Sequence, residues 1–138
     1  VSLGYPDRAA ERQLLVQGDA RQLSAGMRPL VTAEEVIALQ QEAASLHAAE
    51  PLLEYVLDLV EFTRSAPEIA VGLSPRAGLS LLAAARAWAF VHGRRMVTPD
   101  DVQAVLLPVV GHRLRDVRDR RELAPETLRA LFDRVPIP

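Results

Sequence analysis

The composition of this 138-residue chain restricts its size class and its chemistry. Domains cluster at roughly 100 to 150 residues, so the length suits one domain and argues against two autonomous ones. Hydrophobic residues make up 49%, charged residues 25% and aromatic residues only 4%, so the core must consist mainly of Leu, Val and Ala, which favours packed helices. The formal net charge of −2 argues against broad coverage of a nucleic-acid backbone.

Two residue types are absent, and each absence excludes a kind of chemistry. The chain has no cysteine, which removes disulfides, thiolate nucleophiles and cysteine-bound metals and fits a cytoplasmic location. All 16 basic residues are arginine, so no lysine can serve a phosphate-binding P-loop or a Schiff base. No apolar run approaches the roughly 18 residues of a membrane span. The start, without Met or a signal-peptide pattern, predicts a segment of a longer protein.

The first helix is predicted directly after Gly4–Asp7. It is expected to run to about Gln17, with Leu14 and Leu15 on its apolar side. Gly18 is placed to end it, because glycine readily takes the conformation that closes a helix.

A capping box predicts the start of the second helix. Thr32 and Glu35 have the spacing at which each side chain caps the backbone N–H of the other, and Val31 and Val36 can form a hydrophobic staple around them. Apolar residues then recur at helical spacing, so one face of this helix is expected to pack. That face, up to a predicted end near His47, consists of Val36, Leu39, Ala43 and Leu46.

Proline marks the start of the third and fourth helices. Pro51 can occupy a first helical turn, and apolar residues continue to Phe62 at spacings of three and four. Residues 64–73 lack clean periodicity and are predicted to form a loop. Ser74 as N-cap and Pro75 at the first helical position then begin the fourth helix. Because residues 77–91 are nearly all apolar or small, we expect this helix to be central and buried.

The fifth helix is predicted to begin at Thr98, which is followed by proline and acidic residues. It is not expected to run cleanly past Pro108. Residues 111–122 are rich in arginine and have too few apolar positions to fix a period, so no structure is predicted for them. Pro125 begins a last short helix. The predicted fold is therefore all-α, a bundle of five to six helices around a buried central helix.

Arg76 stands out because it lies in the first turn of the predicted central helix. A helix N-terminus carries roughly half a positive charge, so a cation there is disfavoured by about 0.3 to 1 kcal/mol. An anion at this position would meet free backbone N–H groups and a guanidinium together, which suits a phosphate. An exposed arginine whose penalty is screened by solvent explains the same placement, and the spacing alone does not decide between the two.

Several stretches resemble the lid of MoxR-family AAA+ ATPases, and related magnesium-chelatase ATPase subunits look similar. The Ser-Pro-Arg element at residues 74–76 is the most specific of them, whereas Thr-Pro-Asp-Asp-Val at residues 98–102 is a common helix start. Leu3–Pro6 resembles the exit from the last core strand, and Val135–Pro138 looks like the family's C-terminus. The other stretches that carry the resemblance are Gly72–Ala77, Leu81–Ala87, Gly93–Val102 and His112–Leu114.

The resemblance implies that residues 1–138 are the helical lid domain of a longer AAA+ ATPase, with residues 1–6 as the hinge from an α/β core. Arg76 would be the sensor 2 residue, which touches the terminal phosphate of ATP bound on that core and couples the lid angle to the nucleotide state. Tyr5 and Pro6 would lie near the adenine. The Walker motifs, sensor 1 and the arginine finger would precede Val1, so the chain alone is not expected to hydrolyse ATP.

The resemblance also implies cofactors and partners. ATP and Mg²⁺ are expected in the full-length protein, with neither bound to this segment. The expected partners are its own α/β core, neighbouring subunits of a hexameric ring and a von Willebrand A-type domain protein, with no nucleic acid and no membrane insertion. The implied activity is a chaperone-like remodelling of partner proteins in the cytoplasm.

Other residues that could carry chemistry have simpler interpretations. The three histidines, His47, His92 and His112, lack the spacing of metal-binding pairs, and no metal site is predicted. Asp100 and Asp101 are expected in a first helical turn because acidic side chains suit the helix dipole. The indole of Trp88 is expected in the core.

Two alternatives to an ATPase lid remain open at this point. A helical module that docks proteins and has no role in nucleotide binding would leave only Arg76 unexplained. A histone-like DNA-binding module is suggested by Arg94 and Arg95 before residues 97–102, but Gly72 and Pro75 interrupt the long central helix that such a fold requires.

Overall fold

The computed structural model describes residues 4–17 and 26–138, and the regular elements in these ranges are helices, with no β-strand. This confirms the predicted all-α bundle, with six α-helices in the described residues. Contacts divide the chain into two compact units, residues 1–36 and 37–138. The elements in chain order are α1 (Arg8–Gln17), α2 (Ala33–Ser45), α3 (Glu50–Ser65), α4 (Pro75–Val91), α5 (Pro99–Val110), a short 3-10 helix (Gly111–Arg113) and α6 (Pro125–Phe132).

The unit of residues 1–36 contains α1 and the start of α2. The Asp7 carboxylate accepts a hydrogen bond from the Ala10 N–H at 2.8 Å and so caps α1. The predicted capping box is present, because the Thr32 N–H donates to Glu35 Oε2 at 2.7 Å and the Glu35 N–H donates to Thr32 Oγ1 at 3.2 Å. The apolar side of α1 is exposed, with Leu15 at 86%. Gly18, the predicted end of α1, lies outside the described residues.

The prediction that one face of α2 packs is wrong for most of that face, because of its four residues only Leu46, directly after the helix, packs against the core. None of the helix residues is buried, and the Leu39 side chain is 44% exposed. Ala43 and Leu46 are only partly covered. The periodicity correctly predicts an apolar face, but periodicity does not say whether this chain also supplies the surface that covers it.

The core of residues 37–138 lies where α3, α4 and α5 meet. Helix α4 contributes a narrow stripe of three alanines and one leucine at a spacing of four, which allows α5 to approach closely. Leu114, Leu123 and three residues of α6 close the end of the core. The buried side chains of the three main helices include Leu52, Tyr55, Val56, Leu59, Val60, Ala77, Leu81, Ala85, Ala89, Val102, Val105, Leu106 and Val110.

Helix α4 is central but not buried all round, which corrects the prediction. Only its stripe of Ala77, Leu81, Ala85 and Ala89 is buried, whereas Leu79 is 70% exposed. The prediction for Trp88 is also wrong, because its side chain is 41% exposed. The indole packs beside the ring of His92, with ring centroids 4.5 Å apart. An apolar composition on every side of a helix therefore does not establish burial on every side.

Helix α5 continues past Pro108 to Val110, two residues further than its proline pattern predicts. Proline lacks an N–H and so removes one helical hydrogen bond, and it crowds the carbonyl of the preceding turn. Because Pro108 lies in the last turn, few hydrogen bonds follow it. The chain then tightens into the 3-10 helix Gly111–Arg113.

The arginine-rich segment without a predicted structure forms a tight hairpin-like turn. Arg115 pairs with Glu122 at 2.8 Å, and the Asp116 N–H donates to the Arg121 carbonyl at 2.9 Å. The turn is attached to the loop after α3, where the Ala70 N–H donates to the Arg115 carbonyl at 2.8 Å. The contacts within this turn are backbone hydrogen bonds and ion pairs, which do not require a periodic pattern of apolar residues. Sequence reasoning therefore had no periodicity from which to predict it.

Candidate functional site

The start of α4 is open to an anion, but with fewer backbone donors than its sequence suggests. Ser74 occupies the N-cap position with extended backbone angles, and its side chain makes no cap hydrogen bond. The Ala77 and Gly78 N–H groups donate to the Ser74 carbonyl at 2.9 and 3.4 Å. Because Pro75 has no N–H, the Arg76 N–H is the donor that the first turn leaves free.

The Arg76 side chain is exposed, and no carboxylate within residues 37–138 pairs with it. No acidic residue lies in the first turn of α4, and none of the ion pairs within residues 37–138 includes Arg76. Its positive charge therefore adds to the positive end of the helix dipole without compensation from this unit. A guanidinium and a free N–H at one helix start are suited to bind a phosphate oxygen.

Helix α3 holds the residues directly before Arg76 through three contacts, which we call the Leu73 anchor (Thr63, Arg64, Gly72 and Leu73). The Leu73 N–H donates to Thr63 Oγ1 at 2.9 Å, and Arg64 Nε donates to the Leu73 carbonyl at 2.9 Å. At Gly72 an added Cβ would lie 2.6 Å from Arg64 Cα, so only glycine fits. Sequence reasoning missed this anchor, because Gly72 was interpreted only as a sign of a loop.

An apolar groove of about 440 Å³ lies between α3 and α4 beside this helix start. The helices approach closely there, because a Cβ at Gly78 would lie 3.3 Å from Val60 Cγ2. Arg64 and Pro75 line one end of the groove, which thus adjoins the Leu73 anchor. The remaining lining residues are Leu53, Val56, Leu57, Val60, Glu61, Gly78, Leu79 and Leu82.

The start of α5 is closed by an ion pair to a buried carboxylate, which the sequence did not indicate. Asp101 is fully buried and pairs with Arg94 from the preceding turn, while the Thr98 N–H donates to Asp101 Oδ2 at 2.9 Å. Burial is the largest effect on this carboxyl group and opposes ionisation, but the hydrogen bonds from Arg94 and Thr98 and the Arg94 charge together outweigh it. They lower the pKa of Asp101.

The two other predicted nucleotide-binding residues belong to the unit of residues 1–36. Tyr5 and Pro6 precede α1, and the Tyr5 side chain is 98% exposed. Arg76 belongs to the other unit, so the three residues do not form one site within a single unit.

Two of the histidines take part in hydrogen bonds within the fold. His92 Nδ1 lies 2.8 Å from the Trp88 carbonyl, and the His47 carbonyl accepts the Val97 N–H at 2.9 Å. Among residues 4–17 and 26–138, no group of three or more His, Asp or Glu side chains is placed to hold a metal ion. In the same ranges no helix is both long and apolar enough to cross a bilayer.

Comparison with known proteins identifies the family. Residues 61–133, which include the Leu73 anchor and Arg76, match the model of the AAA lid domain. The chain is 32% identical over 137 residues to the chaperone MoxR1 of Mycobacterium tuberculosis, an alignment that covers 91% of the chain and 36% of that protein. It is 39% identical over 109 residues to the protein MoxR of Paracoccus denitrificans, covering 67% and 32% of the two chains.

A crystal structure from Cytophaga hutchinsonii, provisionally assigned as an ATPase, has the same fold. Its TM-score is 0.76 at 22% identity, with 99% of this chain and 45% of that chain covered. The chain therefore belongs to the AAA lid domain family, in the MoxR group of AAA+ ATPases, as the motifs at residues 72–102 predicted. It spans about a third of the length of the curated relatives it matches. The histone-like alternative has no support from these matches.

Proposed function

We propose that this chain is the nucleotide-sensing lid of a longer ATPase, in which Arg76 contacts the terminal phosphate of ATP. The observation that carries the proposal is the exposed Arg76 guanidinium at an uncompensated helix start, inside the segment that matches the AAA lid domain. The phosphate would be held by an α/β domain elsewhere in the polypeptide. Residues 1–6 would connect that domain to the lid.

In this proposal the lid contacts one side of the bound ATP and does not enclose it. The chain has no lysine, and its described residues offer no carboxylate cluster for Mg²⁺, so the other domain would supply the P-loop and the metal site. The role of Arg76 would be to stabilise charge on the phosphate and to link nucleotide state to lid position. Tyr5 and Pro6 would contact the adenine side of the same nucleotide.

In this proposal the longer ATPase works as a subunit of a ring in the cytoplasm and remodels partner proteins. Support for this wider role comes from the named MoxR relatives, one of which is described as a chaperone. A hexameric ring and a von Willebrand A-type partner are part of the same proposal. The competing function is a helical docking module with no role in nucleotide binding.

The test is the substitution Arg76→Ala in the full-length protein. A charge-assisted contact to phosphate contributes about 1.5 to 3 kcal/mol, so ATP turnover or ATP affinity should fall roughly tenfold to hundredfold. ADP affinity should fall less. Arg76→Lys should recover part of the activity, because an ammonium keeps the charge but lacks the planar fork of the guanidinium.

Two further variants make this test specific. Arg129→Ala removes another exposed arginine, on α6, and should leave turnover unchanged. Tyr5→Ala should weaken ATP and ADP equally, because adenine is common to both. Wild-type turnover and ATP affinity in Arg76→Ala, with the melting temperature unchanged, would support the docking module instead.

A further inference from the structure

The position of Arg76 depends on its backbone, because its side chain has no ion-pair partner within residues 37–138 to hold it. Only Ser74 and Pro75 separate Arg76 from Leu73. Pro75 has a fixed φ angle, and the Ser74 carbonyl already accepts the first helical hydrogen bond. Little freedom remains between the two residues, so whatever holds Leu73 also places Arg76.

We infer that Thr63 and Arg64 are positioning residues, which hold Leu73 so that Arg76 meets the terminal phosphate; this inference rests on the proposed function. Leu73 is held at three points. Its N–H and carbonyl each bind a consecutive residue of α3 at 2.9 Å, and its side chain is buried. The backbone of this one residue is therefore fixed in both rotation and distance relative to α3.

The Thr63 hydroxyl is oriented for this contact. It is fully buried and donates to the Val60 carbonyl at 2.7 Å, which leaves an oxygen lone pair for the Leu73 N–H. Arg64 is exposed and forms no ion pair within residues 37–138, so its bond to Leu73 is its polar contact in this unit. The side chains of Thr63 and Arg64, at successive positions of α3, thus both bind the loop before Arg76.

The experiment measures ATP turnover of the full-length protein in a double-mutant cycle. Thr63→Val removes the hydroxyl but keeps the branched shape, and Arg64→Met removes the donor but keeps the stem. Each should lower turnover about threefold to tenfold, because a slight misplacement of a phosphate-contacting group is costly. Thr63→Ser, which keeps the hydroxyl, should retain activity, and so should the matched control Arg129→Met.

The decisive measurement repeats both changes in the Arg76→Ala background. If the two residues act through Arg76, neither change should reduce turnover further there. An equal loss in both backgrounds means a general structural role and overturns the inference, as does full activity of Thr63→Val and Arg64→Met in the parent protein. If Arg76→Ala alone has no effect, the proposed function fails first, and this inference fails with it.

Discussion

Helices α4 and α5 begin with the same two kinds of residue, a hydroxyl residue followed by proline, yet their first turns differ in charge and burial. At α5, Asp101 is buried, accepts the Thr98 N–H and pairs with Arg94. At α4, the Ser74 side chain makes no cap hydrogen bond, and the next charged residue is the exposed Arg76. The start of α5 is closed within the chain, whereas that of α4 is open to a ligand.

This difference separates a helix start that follows the helix-capping rules from one that departs from them. An acidic first turn stabilises a helix, and α5 has two acidic residues there. Helix α4 has none, although the same chain supplies them at α5 and at α2. The unfavourable charge at α4 is localised at Arg76, and α3 binds the backbone of Leu73, three residues earlier. A cost in stability that is held in place in this way is typical of a binding site.

The largest effect on stability is expected when the ion pair at the start of α5 is removed. Arg94→Met leaves the Asp101 carboxylate buried without its counter-charge, which typically destabilises a fold by about 3 to 5 kcal/mol. Arg94 is itself 39% exposed, so we expect a loss below that range, about 2 to 3 kcal/mol. Urea denaturation measures this loss in the free energy of unfolding. Arg95→Met, at the exposed neighbouring residue, serves as control, and equal stability of the two variants would contradict a closed start.

The same ion pair predicts how stability depends on pH. The pKa of Asp101 is lower in the folded state than in the unfolded state, so its contribution is present above the unfolded pKa, about 3.9, and is lost as the pH falls through the folded pKa. The free energy of unfolding should therefore decrease below about pH 4 in the wild type. Asp101→Asn should weaken this decrease. An identical acid slope in both proteins would mean that Asp101 is not the group that titrates.

The smallest effect on stability is expected when the first turn of α4 is given a negative charge. Arg76→Glu should stabilise the fold by about 0.3 to 1 kcal/mol, because a carboxylate suits the positive end of the helix dipole. The same change should reduce ATP turnover more than Arg76→Ala, since it places a negative charge near the phosphate. On one preparation, thermal unfolding tests the change in stability and an ATPase assay tests the change in turnover. A variant that is both less stable and fully active would contradict this account of α4.

Sequence reasoning was accurate where the determining interactions are local. The capping boxes at Thr32 and Thr98 span three residues, and proline restricts its own backbone, so the helix starts could be predicted. Arg76 could be singled out for the same reason, because a cation in a first helical turn is a local anomaly. The sequence alone could not show whether a carboxylate neutralises it.

The features that escaped prediction depend on contacts between distant residues or on surfaces. Thr63 and Leu73 are ten residues apart, and nothing in their spacing indicates a hydrogen bond. The exposed side of Trp88 and the uncovered face of α2 show the same limit, because an apolar residue does not reveal which surface covers it. Pro108 was misjudged since the cost of proline depends on how much helix follows it.

Helix α4 is bound to a neighbouring helix at each end, so a movement of its first turn would be passed along the helix to its last turn. Its start is tied to α3 through Leu73, and its end is tied to α5, because the Arg94 N–H donates to the Ala89 carbonyl at 2.9 Å while the Arg94 side chain pairs with Asp101. The 17 residues between these ties span about 25 Å. A tilt of about 5° at Arg76 would move the far end by about 2 Å over that length. Such a displacement would reach the first turn of α5 directly.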